Sequence, residues 1–302
     1  MDIGKKIKRL RTEKLMTQSE LTGGEITRNM LSRIENGAAL PSLGTVVYLA
    51  SKLGVPAGYL LSEGEEEFIY HKTAVMKNIR RAYTDKNFEL CRDMCLSEFH
   101  ELDDELELIL TDCCLGVAEE ALRAGQLYRA RAFLDESVAH SRKTMYDTTA
   151  QLNNVQIMFE MLKEISPALD SDEIDVGERE GSLHPSVFSN VFCKYLSVAL
   201  DVEKYEYFEC DIKELKEGSL SDAEKLLVLH LRARRLIANE NYESAIDVLR
   251  SVSESETILD RFLLCLVSAD MEICCRETGD YKGAYEFSIN KLELLEHMLA
   301  EE

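Results

Sequence analysis

Four side chains in this sequence have the chemistry and the spacing to read a nucleic acid: Arg28, Asn29, Ser32 and Arg33. At 100° per residue they share one face of a helix, and Met30, Leu31 and Ile34 share the opposite face. Arg pairs bidentately with guanine and Asn with adenine in the major groove, and Ser donates to either. Thr27 is a suitable N-cap, and Asn36-Gly37 a suitable stop. The segment therefore predicts a short helix with an apolar side for a core and a polar side for DNA.

Other chemistry is poorly represented. The chain has no P-loop, no Gly-rich dinucleotide turn, no His-Glu-x-x-His and no nucleophile elbow. Its six His are scattered, and carboxylate runs such as Asp103-Asp104-Glu105 read as solvated helix faces. No enzyme activity, cofactor or metal is predicted. All nine Cys follow residue 90, their number is odd, and their spacings fit no zinc pattern. They read as small buried packing residues. The other reading of Cys91 and Cys95, at i and i+4, is redox or metal sensing. Met1 leads into a charged helix rather than an apolar signal segment, and no apolar run reaches the length of a membrane span. The expected location is cytoplasmic, with reduced thiols and no membrane contact.

The composition says which elements must position the reading face. Of 302 residues 45% are hydrophobic and only 4 are Pro, while Leu, Ala, Glu, Lys and Arg dominate. That predicts an all-α protein of about two domains. The net charge of −21 is unevenly divided: residues 1–61 carry nine Lys/Arg against five acids, a net +4, so the remainder carries −25. A basic head is suited to phosphate, and an acidic body is repelled by it.

Residues 1–61 read as a five-helix head. Ile3, Ile7 and Leu10 form the apolar stripe of a first helix, ringed by Lys5, Lys6, Lys8, Arg9 and Arg11, with Leu15 packing at its end. Thr17 and Glu20 have capping-box spacing for a second helix, which Gly23-Gly24 closes early. Thr27 opens the third helix. Pro41-Ser42-Leu43 opens a fourth running to about Leu53, and Ala57–Leu61 is the last.

This order resembles the Cro/repressor-like (XRE-type) helix-turn-helix family. The matching pieces are Thr17-Gln18-Ser19-Glu20-Leu21, Ser32-Arg33-Ile34-Glu35-Asn36-Gly37, Pro41-Ser42-Leu43 and Leu49-Ala50-Ser51-Lys52-Leu53-Gly54-Val55-Pro56. The resemblance implies that the third helix enters the major groove of an operator. It makes Arg28, Asn29, Ser32 and Arg33 the groove-facing set, and Thr17, Gln18 and Thr27 the contacts that position the backbone. It makes Arg11 and Glu35 a structural clamp between the first and third helices. The segment from Leu21 to Thr27 is one residue shorter than the usual pattern, which predicts a remodelled turn.

Residues 62–67 read as an acidic linker and 68–302 as a repeat domain. Four segments share a turn, a large residue and a small residue three positions on: Asn87-Phe88 to Cys91, Gln126-Leu127 to Ala130, Asn241-Tyr242 to Ala245, and Asp280-Tyr281 to Ala284. Phe88 and Leu127 are 39 apart, as are Tyr242 and Tyr281, and Tyr205 falls where a degenerate unit would begin. Ser166–Glu180 reads as an interrupting loop. A period of about 38 residues with two helices per unit predicts a helical solenoid.

These units resemble tetratricopeptide repeats. Together with the head they resemble the RNPP-type regulators of Gram-positive bacteria, which respond to short secreted peptides. The resemblance implies a homodimer that binds double-stranded operator DNA and takes a short peptide in the repeat groove. It implies Asn side chains that hold the peptide backbone, for which Asn153, Asn154 and Asn190 are the candidates. The alternative reading is a protein-interaction module, in which the repeats capture a partner protein and the head is a secondary tether.

Overall fold

The computed structural model describes residues 3–62, 65–167, 191–205, 220–255 and 260–300, and no strand occurs among them. The chain separates into two compact units between Arg81 and Ala82.

The first unit begins with α1 (Ile3–Glu13), α2 (Gln18–Thr22), α3 (Arg28–Glu35), α4 (Leu43–Leu53) and α5 (Ala57–Leu61). The caps set these bounds. The Thr17 hydroxyl accepts from the Glu20 amide, and the Glu20 carboxylate accepts from the Thr17 amide, which completes a capping box. Gly23 and Gly24 have φ of 50° and 91°, so α2 stops after five residues, as two consecutive glycines predict. Ser42 caps α4, and Gly54 closes it at φ 66°. Ile7, Leu21, Leu31, Ile34, Leu49 and Leu53 form the centre of the core.

Two expectations for α1 fail. Leu15 is 92% exposed, at φ 55°. The turn after α1 points it outward, and Met16 packs on the core instead. Lys6 is fully buried rather than one of the surface cations. Its Nζ lies 3.2 Å from the Tyr59 carbonyl and donates also to the Ser62 carbonyl, capping the C-terminal end of α5. A cation there meets the negative end of the helix. Ser62, the first residue of the expected linker, is thereby buried against the head. The helix α6 (Glu65–Thr84) starts within that acidic run and carries the chain past Arg81.

The second unit continues with α7 (Phe88–Glu98), α8 (Asp104–Ala124), α9 (Leu127–Ser141), α10 (Thr149–Ile165), α11 (Val191–Leu200), α12 (Asp222–Ala238), α13 (Tyr242–Ser253), α14 (Arg261–Glu277) and α15 (Tyr281–Ala300). Phe88, Leu127, Tyr242 and Tyr281 each open a helix, and Cys91, Ala130, Ala245 and Ala284 are each buried one turn later. The small residue lets the second helix of a pair approach the first. The turn before each is the same: Lys86, Gly125, Glu240 and Gly279 have φ of 57°, 83°, 59° and 85°. The next amide then bonds back five residues, Asn87 to the Ala82 carbonyl and Gln126 to Ala121, Asn241 to Leu236 and Asp280 to Cys275 likewise. This is a Schellman turn used four times.

Tyr205 directly follows a 3-10 turn at Val202–Lys204 and is buried under the Arg235 guanidinium. The residues after it lie outside the described ones, as does most of the expected loop at 166–180. All eight described cysteines are buried. His230 is fully buried, with its Nδ1 2.8 Å from the Tyr195 hydroxyl.

The repeats do more than stack on their neighbours. The helix α8 also packs on α14, and α9 on α15. A single core cluster runs from Leu115 to Met298. At its centre Phe192 stacks on Tyr195 and meets the edge of Phe262, with the Arg123 guanidinium 4.4 Å over Phe192.

Candidate nucleic-acid interface

The third helix is fixed from below. Leu31 and Ile34 are buried, and Met30 packs against the same core. At Gly4 the backbone of α1 lies so close to the end of α3 that a Cβ would stand 2.0 Å from the Ile34 carbonyl oxygen. The Thr27 hydroxyl accepts from the Met30 amide at 3.1 Å, and the Ala38 amide bonds back to the Arg33 carbonyl.

Arg11 and Glu35 pair between α1 and α3. Arg11 Nε is 2.6 Å from Glu35 Oε1 and Nη2 is 3.1 Å from Oε2, while Nη1 donates to the Met16 carbonyl at 2.8 Å. The fork matches the carboxylate bidentately, which is the strong geometry for such a pair. Burial alone would raise the Glu35 pKa. Hydrogen bonds from Arg11 and Gln18, with the charges of Arg11 and Lys8, outweigh it and hold the carboxyl below its ordinary value. The bond to Glu35 raises Arg11 in turn.

Gln18 extends this clamp to the outer face. Its Nε2 donates to Glu35 Oε2 at 2.8 Å, and its Oε1 accepts from Arg28 Nε at 3.4 Å. A single amide thus joins the buried carboxylate of Glu35 to Arg28 at the start of α3. Thr17 is likewise engaged, accepting from the Glu20 amide and donating to the Glu20 carboxylate at 2.8 Å. Thr27, as N-cap, keeps its hydroxyl proton to donate.

Arg28, Asn29 and Arg33 are exposed and Ser32 is half-buried, all on the face of α3 away from the core. Among the described residues, the side chains of Asn29, Ser32 and Arg33 make no hydrogen bond within the protein. Their donors are presented outward on a helix with little freedom to move.

Three residues with a part in this site escaped the sequence reading. Gly4 and Lys6 lie on α1, and Lys6 falls three residues after Ile3, on the edge of the apolar stripe. That register was the available signal. The third, Tyr48, donates from its hydroxyl to the Thr22 carbonyl at 2.9 Å and so closes α2 from α4. Nothing local in the sequence marks it. A Cβ at Gly23 would stand 2.3 Å from that hydroxyl, so the early stop of α2 and the packing of Tyr48 require the same glycine.

The ligand candidates lie elsewhere. Asn153 and Asn154 are half-buried on α10, and Asn190 lies outside the described residues.

Residues 7–60 match the helix-turn-helix family, so the head is a helix-turn-helix domain. No curated protein matches the chain. Among solved structures the chain is similar to PlcR of Bacillus thuringiensis in complex with the peptide PapR7 and DNA, at 16% identity over 100% of this chain and 99% of that one, with a TM-score of 0.23. It is similar also to a mutant of PrgX, at 13% identity over 96% and 98% of the two chains and a TM-score of 0.28. A third is the apo form of the competence regulator ComR of Streptococcus vestibularis, at 19% identity over 89% and 98% and a TM-score of 0.25. No helix among the described residues is long and apolar enough to cross a membrane.

Proposed function

We propose that the chain is a homodimeric, sequence-specific DNA-binding transcription regulator, with α3 in the major groove and Arg28, Asn29, Ser32 and Arg33 reading base edges. The observation that carries this is the outward Arg/Asn face on a helix whose other face is clamped by Arg11, Glu35 and Gln18. Thr17, Gln18 and Thr27, at the starts of α2 and α3, would contact backbone phosphates. Two heads on one operator would contact half-sites about 34 Å apart or a multiple of that.

The repeat unit is the input. It takes a short peptide or another ligand, and Asn153 and Asn154 are the side chains that would hold a peptide backbone, because an amide both donates and accepts. A ligand acts on the heads only by binding one of their arrangements better than another.

The test is selection of binding sites from random DNA by the full chain, followed by affinity measurements on the selected site. Arg28→Ala and Arg33→Ala should each lose about 1–3 kcal/mol of preference for it. Wild-type affinity should fall steeply with salt as counterions are released from phosphates. Equal binding of selected and random DNA by wild type and variants, at every salt concentration, overturns the reading in favour of partner capture by the repeats.

A further inference from the structure

One cluster of metal-binding side chains lies in the body, outside the proposed DNA interface. Cys114 on α8 and Glu136 and His140 on α9 converge so that one ligand atom from each lies within 4.8 Å of the others. Glu136 and His140 are one helical turn apart, so their side chains leave α9 on the same face. Cys114 is buried, with its Sγ 3.6 Å from Glu136 Oε2.

The surroundings are arranged as those of a ligand set. His140 Nδ1 lies 2.6 Å from Oε2 of the buried Glu107. A carboxylate behind the ring fixes the orientation and tautomer of a liganding imidazole. Arg92 donates to Glu136 Oε2 from Nε at 3.0 Å and Nη2 at 2.8 Å and hydrogen-bonds also to Cys114, so an entering cation takes the place of the guanidinium between the thiol and the carboxylate. The Arg92 guanidinium itself stacks 5.2 Å over Phe133.

We propose that Cys114, Glu136 and His140 form a binding site for a borderline divalent cation of the zinc class. One thiolate, one imidazole and one carboxylate suit such an ion better than they suit calcium or magnesium, which want oxygen alone. On binding, the Cys114 thiol releases its proton to solvent and the thiolate joins the cation. The cation then ties α8 to α9, the two helices that pack on α14 and α15. A second sulfur group is the internal control: Cys91 hydrogen-bonds with Cys113 and Cys95.

The test is titration of the reduced full chain with Co2+, read by the thiolate-to-cobalt charge-transfer absorption in the near ultraviolet, with Zn2+ as competitor. One equivalent of Co2+ should give the band, and Zn2+ should abolish it. The band should be lost in Cys114→Ser and kept in Cys91→Ser. Glu107→Gln should keep it while weakening binding about 10–100-fold. Zn2+ should also raise the melting temperature of wild type and Cys91→Ser. If Cys114→Ser does not fold, His140→Asn serves, and it should lose the band's saturation at one equivalent. Absence of the band in wild type, its survival in Cys114→Ser, or its dependence on Cys91 overturns the proposal.

Discussion

Glu35 ties the stability of the head to the placement of α3 through its bonds to Arg11 and Gln18. Its carboxylate is 4% exposed and accepts from Arg11 and Gln18. Removing one partner of such a pair leaves a buried charge uncompensated, so Arg11→Met should destabilise the head by about 3–5 kcal/mol. The double variant Arg11→Met/Glu35→Leu should recover much of that loss in thermal denaturation. The same bonds give a pH dependence. The folded-state pKa of Glu35 lies below its ordinary value of 4.5. Its stabilisation is therefore complete above that value and is lost as pH falls through the lower folded-state value. Melting temperatures of wild type and Glu35→Gln should converge on acidification below about pH 4.5. A constant gap between them would exclude this linkage. Gln18 invites a different experiment. If it acts by holding Arg28, Gln18→Ala should weaken operator binding in the wild type and add little in the Arg28→Ala background. Independent, additive losses would show that Gln18 serves only as a phosphate contact and does not act through Arg28.

Among the elements, the repeated turn explains why so much of the body was legible. A large residue at the head of a helix and a small one a turn later are local signals, and Phe88/Cys91, Leu127/Ala130, Tyr242/Ala245 and Tyr281/Ala284 all read true. The head was legible for the same reason, since Thr17, Thr27, Ser42, Gly23 and Gly54 each set a helix end within a few residues of themselves. What escaped was long-range. Lys6 meets carbonyls of α5, and Gly4 meets α3, through contacts that composition and period do not encode. The left-handed position in the four turns is filled by glycine twice and by Lys86 and Glu240 otherwise. A side chain there costs about 1–2 kcal/mol. Lys86→Gly and Glu240→Gly should therefore stabilise the body by about 0.5–1 kcal/mol, after the greater chain entropy of unfolded glycine is offset. The reverse changes should differ between sites. Gly279→Ala meets nothing within 4 Å and should cost only the backbone strain. Gly125→Ala puts its Cβ 2.8 Å from Met298 Cγ and 3.2 Å from Arg261 Cβ, so it should cost distinctly more. Equal losses in urea denaturation would show that the turn at Gly125 is free to relax.

At the scale of the whole repeat unit, the expectation of a solenoid whose units feel only their neighbours meets a structure in which early helices also touch late ones. The helix α8 reaches α14, α9 reaches α15, and Arg123 stands 3.8 Å from Asp260 while stacking on Phe192. In an open array, stability is a sum of local terms and a lesion is felt next door. Contacts that return from the last repeats to the first couple distant segments, so the body should unfold as one unit. Phe262 is the residue to test, because it is fully buried on α14 and meets Phe192 on α11. Phe262→Ala should cost about 3–5 kcal/mol through lost transfer energy and the cavity left behind. Native-state hydrogen exchange should then quicken in α8 and α9 nearly as much as in α14. Both would open through the same global event once the margin between local and global unfolding is reduced. If exchange quickens in α13 to α15 while α8 and α9 keep their wild-type protection, the repeats are energetically independent and the returning contacts are incidental. The coupled outcome bears on function, because a ligand or cation held by the first repeats could then alter the last ones with no contact to them, by shifting a single shared equilibrium.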